Sequence, residues 1–338
     1  MDSLTQIVLG AAVGEAALGK RVGRKAALWG AICGTLPDLD VVVPFADPVA
    51  TFTYHRSFSH SLFVLAALTP LIVWLIRKVH PQHRDERGWY ALVYLSFATH
   101  VLLDSLTIYG TQIFWPVVTT PVSIGSVFII DPLYTVPLII GLVAVFLARR
   151  RPAIGRRVLA AGLTFSAAYL AWGFAAQSWV HNVAKASLER QGLATTRQVT
   201  LAAPFTTLMW RIVAMHDDGY RVGWYSLVEG GDKIIFADYP SETALLDAMP
   251  DHWPVNRLRW FTKGFFGVSV DGADVLMTDL RMGVEGSYVF SFKVAEIANP
   301  HPIPVASTMV SDRPDFDRVD ELWDLLLHAN SRPNRRPL

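Results

Sequence analysis

LPDLDVVVPFADPVATFTYHRSFSHS, residues 36–61, is a polar island between two strongly apolar segments. It carries Asp38, Asp40, His55, Arg56 and His60. A second ionisable pair, His100 and Asp104 of THVLLDS (99–105), sits inside another apolar run. Carboxylates and imidazoles at the edge of a hydrocarbon layer are costly unless they pair with one another or hold a metal. The stretch therefore reads as a metal site built on membrane helices, and the rest of the chain is weighed against that reading.

Working outward, the 338 residues suffice for two domains. Hydrophobic residues make up 52% and charged residues 17%, with a mean hydropathy of +0.32. An ordinary soluble protein is about a quarter charged. The apolar excess lies before about residue 187, so that part reads as membrane-embedded. A formal net charge of +1, without a basic aromatic patch or a recognisable motif, argues against a nucleic-acid partner. The single cysteine, Cys33, excludes an internal disulfide and any multi-cysteine zinc site, which leaves His, Asp and Glu as ligands. At the N-terminus the basic residues follow the apolar run, whereas a signal peptide carries them in front, so a retained first helix is expected.

Leu4–Leu18 and Ala26–Leu36 carry Gly10/Gly14 and Gly30/Gly34 at small-x-x-x-small spacing, which lets helix backbones approach closely. Both reach only about 16–23 Å, short of a hydrocarbon core of roughly 30 Å, so a buried or re-entrant pair is expected. Longer apolar helices are expected over Phe58–Ile76, Trp89–Leu106, Ile129–Ala148 and Val158–Val180. Basic clusters (Lys20, Arg21, Arg24 and Lys25; Arg77, Lys78, Arg84 and Arg87; Arg149, Arg150, Arg151, Arg156 and Arg157) follow the first, third and fifth segments. The positive-inside rule makes that side cytoplasmic. The connections 37–57 and 106–130 then face outward, as do both termini, and every candidate ligand lies in those connections or near the outward helix ends.

After residue 187 a small soluble α+β domain is expected over 188–338. WRIVAMHDDGYRVGWYSLVE reads as a hairpin around Asp217-Asp218-Gly219, and KIIFADY as a third strand. SETALLDAM reads as a short helix capped by Ser241. RLRWFTKGFFGVSVDGADVLMTDL and GSYVFSFKVAEI supply further strands with a turn at 270–273, and Asp315–Asn330 an amphipathic helix. The fold expectation is an all-α multi-pass membrane domain (1–187) followed by this domain.

His100 and Asp104 are i and i+4 on a helix and share a face. Asp38 and Asp40 are i and i+2, which share a side if the backbone is extended. His55 and His60 lie about 140° apart on any one helix. They converge if His55 sits in the loop and Ser57 starts the helix that carries His60. Oxygen plus imidazole donors suit Zn²⁺, with Mn²⁺ and Fe²⁺ as alternatives. The planar fork of Arg56 matches an anionic oxygen pair. It reads either as a phosphate clamp or as a headgroup anchor. Tyr109, Gln112, Ser123 and Asp131 are outward polar groups that can line a pocket. Asp131, before Pro132, reads most simply as a helix N-cap.

MDSLTQIVLGAAVGEAALGK, GTLPDLD, HRSFSHS, THVLLDSLTIYGTQIFWP and FIIDPLYT together resemble the YdjM-type family, inner-membrane proteins described as membrane-bound metal-dependent hydrolases. The resemblance spans roughly residues 1–187. That family is similar to zinc-dependent phospholipase C and P1-type nucleases. The resemblance implies Asp40, His55 or His60, His100 and Asp104 as metal ligands, with Asp38 a further ligand or the base. Many relatives carry Thr-His near the N-terminus where this chain has Thr5-Gln6, which leaves the number of metals open.

The leading expectation is thus a metal-dependent hydrolase acting on a phosphoester of a membrane lipid or lipid-linked substrate. Asp38 and Arg56 serve catalysis, Arg56 and Gln112 substrate binding, and Asp40, His55, His60, His100 and Asp104 the metal. The alternative is a non-enzymatic ion or metal carrier, or a metal-stabilised scaffold. A membrane protease lacks the H-E-x-x-H it would need.

Overall fold

The computed structural model describes residues 1–83, 85–148, 150–298, 301–310 and 326–327. The N-terminal half is helical and the C-terminal part is built on antiparallel sheets. In chain order the helices are α1 (Ser3–Val22), α2 (Lys25–Thr35), α3 (Pro48–Tyr54), α4 (Leu62–Val79), α5 (Glu86–Leu106), α6 (Pro132–Leu147), α7 (Pro152–Arg190) and α8 (Trp253–Phe261). The residues group into two compact units, 1–43 with 55–174 and 204–206, and 44–54 with 175–203 and 207–338.

In the first unit, Asp2 caps α1 by accepting from Thr5 N at 3.0 Å. Gly23, at φ 64°, ends the helix and lets α2 begin two residues on. The two helices pack backbone against backbone. A Cβ on Gly10 or on Gly30 would fall on the other's carbonyl oxygen, and one on Gly34 would meet Gln6 O. The small-x-x-x-small expectation holds for that reason. Ser61 Oγ caps α4 by accepting from Phe63 N and Val64 N. Asp131 caps α6 by accepting from Leu133 N at 3.0 Å, as expected.

One core, around Leu18, Leu65, Ile76, Trp89 and Phe97, joins α1, α2, α4 and α5. Another, around Leu9, Tyr134, Leu138 and Leu159, joins α1, α6 and α7. The outer faces stay apolar: Phe63, Leu71 and Trp74 of α4, Val136 and Ile140 of α6, and Phe165 and Trp172 of α7 are exposed. Among the described residues, α4 and α7 are long and apolar enough to cross a membrane.

Local structure departs from expectation at three places between residues 37 and 61. The helix expected from Phe58 is broken: Phe58–His60 is a 3-10 turn, and α4 starts only after Ser61. Asp38 and Asp40 lie in a 3-10 helix, Pro37–Val42, and not in extended backbone. At three residues per turn, i and i+2 point about 120° apart, so the two carboxylates diverge. The 37–57 connection is not a plain loop, because it contains α3.

In the second unit, β1 (Arg197–Ala202), β2 (Met209–His216), β3 (Gly219–Ser226) and β4 (Phe236–Pro240) form a sheet in that order. The expected hairpin is present, with His216 opposite Gly219. Strands β5 (Phe266–Asp271), β6 (Asp274–Asp279), β9 (Ser291–Ala298) and β10 (His301–Met309) form a second sheet in the order β10-β9-β6-β5. Strands β7 (Gly283–Val284) and β8 (Ser287–Tyr288) make a small hairpin. Phe52 of α3 packs against Phe261, Phe290 and Phe292.

Two expectations fail here. The segment RLRW lies in α8: Pro254 occupies its first turn, and Val255, Leu258 and Phe261 are buried at helical spacing. Ser241 does not cap the 243–248 turn; its Oγ accepts from Val268 N at 2.9 Å instead. The amphipathic helix expected over 315–330 lies, apart from Leu326 and Leu327, outside the described residues, as do Arg84 and Arg149 of the basic clusters.

The α1–α2 contact is testable. Gly30→Val is expected to overpack it at a cost of about 1–3 kcal/mol, lowering the thermal midpoint in detergent. Leu28→Val, on the exposed side of α2, should stay within about 0.5 kcal/mol of the parent. Equal midpoints for the two variants would contradict the close packing.

Candidate metal centre

The candidate centre lies at one end of the helical unit. Helix α1 brings Gln6, the segment after α2 brings Asp38 and Asp40, and the turn before α4 brings His60. Helix α5 contributes His100 and Asp104 from its last two turns. The basic residues Lys20, Arg21, Arg24, Lys25, Arg77 and Lys78 lie at the opposite ends of α1, α2 and α4.

Asp38, His60, His100 and Asp104 each present one donor atom, and the four atoms lie within 4.8 Å of one another. His60 Nε2 and His100 Nε2 are 3.2 Å apart. Asp38 Oδ1 is 3.3 Å from the first and 3.5 Å from the second. Asp104 Oδ2 is 3.3 Å and 3.4 Å from the same two nitrogens.

The tautomers follow from the far side of each ring. His100 Nδ1 is 2.7 Å from Gly34 O, a carbonyl that only accepts, so Nδ1 carries the proton. Ser59 Oγ donates its single proton to Asp40 Oδ2 at 2.6 Å and so accepts from His60 Nδ1 at 2.9 Å. In the neutral rings both Nε2 atoms are then bare lone pairs that face each other and two carboxylate oxygens. Neither Asp38 Oδ1 nor Asp104 Oδ2, both buried atoms, has a hydrogen bond. Lone pairs gathered this way repel unless a cation lies among them.

The spacing fits a small divalent ion. Ligands about 2.0–2.1 Å from a tetrahedral centre lie about 3.3–3.4 Å from one another. The five separations above bracket that value. The residues present therefore fit the metal implied by the donor chemistry.

The surroundings fix this set. Asp104 Oδ1 is held by Gln6 Nε2 at 2.9 Å and by the Met1 amino group. Arg56 Nε is 3.3 Å from Asp104 Oδ2, and its guanidinium lies 5.0 Å from the centre of the Tyr109 ring. Arg56 adopts φ 62°, a strained conformation for a residue with a Cβ. Two backbone bonds hold it there: Arg56 N donates to Asp40 Oδ2 and Gln112 N donates to Arg56 O, both at 2.9 Å. Burial pushes the Asp38 carboxyl up, but the facing His100 and His60 side chains outweigh it and hold the carboxyl well below the usual range. Asp40 is also lowered: burial opposes ionisation, and bonding to His55 overcomes it.

Several residues thus take places that their spacing did not reveal. Asp38 joins the donor set. Asp40 and His55 pair with each other at 2.7 Å beside it, Asp40 standing behind His60 at 3.7 Å. Gln112 reaches the centre through its backbone, as the strut under Arg56. Ser59, the Gly34 carbonyl and the Met1 amine carried no recognisable signal, whereas Gln6 stood out by replacing a histidine of the resembling family.

Metal analysis of the purified chain is expected to find a divalent ion that is lost in His60→Ala, His100→Ala and Asp104→Ala. His55→Ala, outside the donor set, should retain it. Undiminished metal in the first three would contradict the centre.

The profile of the YdjM inner membrane protein family matches residues 1–180, over which all these donors lie. No curated protein and no solved structure matches the chain. The family match covers more than half of the sequence and includes every element that builds the centre, so the chain belongs to the YdjM inner membrane protein family.

Proposed function

We propose that this chain is a multi-pass membrane hydrolase that cleaves a phosphoester of a lipid or lipid-linked substrate. Asp38, His60, His100 and Asp104 hold the divalent ion, and Zn²⁺ suits this two-nitrogen, two-oxygen set best. One observation carries the proposal: two imidazole nitrogens and two carboxylate oxygens converge within 4.8 Å of one another. The Asp38 side chain is 24% exposed, whereas those of His60, His100 and Asp104 are at most 1% exposed. The donor Oδ1 of Asp38 is itself buried, so Asp38 is the ligand whose outer side borders solvent.

When bound, the ion supplies Lewis acidity that polarises an ester oxygen and acidifies water. Around it the chain's own residues bind and orient. Arg56 places a fixed positive charge beside Asp104, which favours an anionic ester over a neutral one. Gln6 and Arg56 hold Asp104 turned toward the donors. The phosphoester assignment draws on the distant resemblance of the YdjM-type family to phospholipase C and P1-type nucleases; the residues themselves allow any metal-assisted hydrolysis.

The apolar outer faces of α4, α6 and α7 support membrane embedding of about residues 1–187. The basic helix ends support a cytoplasmic side opposite the centre. On that reading the centre and the 188–338 domain lie on the extracytoplasmic face of the inner membrane, where a lipid substrate can be met without leaving the bilayer.

A second reading, a metal-stabilised scaffold, draws on the donor count, because four protein ligands already complete a tetrahedral shell. Purified chain should hydrolyse at least one member of a panel of phospholipids and isoprenyl phosphates, lose that activity to a chelator and regain it with metal. Bound metal with no turnover would favour the scaffold. Reporter fusions after residue 190 should give an extracytoplasmic signal, and a cytoplasmic signal would overturn the topology.

A further inference from the structure

The connection between α5 and α6 combines exposure with a complete lack of charge. From Ser105 to Ile130 the chain contains no Asp, Glu, Lys, Arg or His. Ordinary soluble sequence is about a quarter charged. Even so, Phe114, Val117 and Val118 at the tip of this connection are exposed, Val117 at 77%. The tip also satisfies its own amides. Trp115 N donates to Gln112 O at 3.1 Å, Val117 N and Val118 N both donate to Phe114 O, and Pro116 has no N–H. The backbone from Trp115 to Val118 thus holds no unpaired donor, which is what irregular backbone requires before it can leave water.

The apolar surface continues onto α4. Phe114 and Phe63 have ring centres 6.5 Å apart, and so do Trp115 and Phe58. Phe58 and Phe63 are themselves exposed, and Phe63 begins the apolar outer face that α4 carries on through Leu71 and Trp74. The same loop is fastened to the metal centre. Gln112 N donates to Arg56 O at 2.9 Å, Leu62 N donates to Ile113 O at 3.0 Å, and Ser61, next to the ligand His60, donates through Oγ to Trp115 O. The depth of the tip and the depth of the centre are therefore set together.

We propose that the 112–118 loop, with Phe58 and Phe63, seats in the bilayer interface on the centre's side of the membrane and holds the centre at headgroup level. The inference rests on the membrane embedding of α4 proposed above. The occupant of this surface is lipid and not a second protein. A protein interface keeps a polar rim around its apolar core, whereas this patch lies in a charge-free connection and runs on into the outer face of α4. Aromatic side chains at its edge, Phe58, Phe63 and Trp115, are of the kind that settle at the boundary between acyl chains and headgroups.

The test uses the full chain in vesicles of phosphatidylethanolamine and phosphatidylglycerol, with a nitroxide label at one introduced cysteine and the buried Cys33 replaced by Ala. Labels are placed by Val117→Cys and Phe58→Cys, with Leu71→Cys on α4 and Asp217→Cys in the β2–β3 turn as references. Oxygen concentrates in lipid and a water-soluble nickel chelate stays outside, so the ratio of their collision rates with the label reads its surroundings. The ratios at Val117 and Phe58 are expected to approach that at Leu71 and to exceed that at Asp217 several-fold. A ratio equal to that at Asp217 at either site would place the patch in water and overturn the inference. Low access to both reagents would mean that protein covers the patch, and would overturn it as well. A label at Leu71 that itself reads as water would overturn the embedding of α4 and this inference together.

Discussion

Two imidazole nitrogens 3.2 Å apart, with neither neutral ring holding a proton between them, form the contact on which the rest of the centre depends. Each ring has spent its one N–H elsewhere, His100 on the Gly34 carbonyl and His60 on Ser59. Two carboxylate oxygens complete the set. Four lone-pair donors collected so closely constitute a strong electrostatic demand for a cation. Arg56 answers part of it from the side of Asp104, and the donor geometry accommodates an ion for the remainder.

The demand is transmitted back into the fold. Glycines at 10, 14, 30 and 34 let α1 and α2 meet backbone to backbone. That contact sets the Gly34 carbonyl, in the last turn of α2, under His100. It also places Gln6 against Asp104. The 3-10 helix after Pro37 then divides the work of its two carboxylates. Asp38 turns to the donors, while Asp40 turns to His55, Ser59 and the backbone of Arg56. The positive φ of Arg56 is the local strain that this arrangement sustains, and two backbone hydrogen bonds hold it in place.

Patterns governed by short-range geometry were legible from sequence. His100 and Asp104 share a helix face because four residues make about one turn. The glycine spacing, the Asp131 cap and the hairpin at 217–219 follow from equally local rules. What stayed hidden depends on distant partners or on a choice between similar backbones. The Asp38-x-Asp40 pair has one meaning in a strand and the opposite in a 3-10 turn. The division between His55 and His60 is set by Ser59 and Asp40, and spacing alone cannot register it. Pro48–Tyr54 looks like loop sequence because the aromatic neighbours of Phe52 lie more than two hundred residues away. Ser241 had the composition of a cap, but the Val268 amide claims its hydroxyl.

Membership of the YdjM inner membrane protein family and the donor cluster converge on residues 1–180. The most direct measurement is X-ray absorption at the metal edge on the purified, metal-loaded chain. The account predicts a first shell of two imidazole nitrogens and two carboxylate oxygens at about 2.0–2.1 Å, with the imidazole scattering halved in His100→Ala. A metal-free protein, or a bound ion whose first shell contains no imidazole, would contradict it.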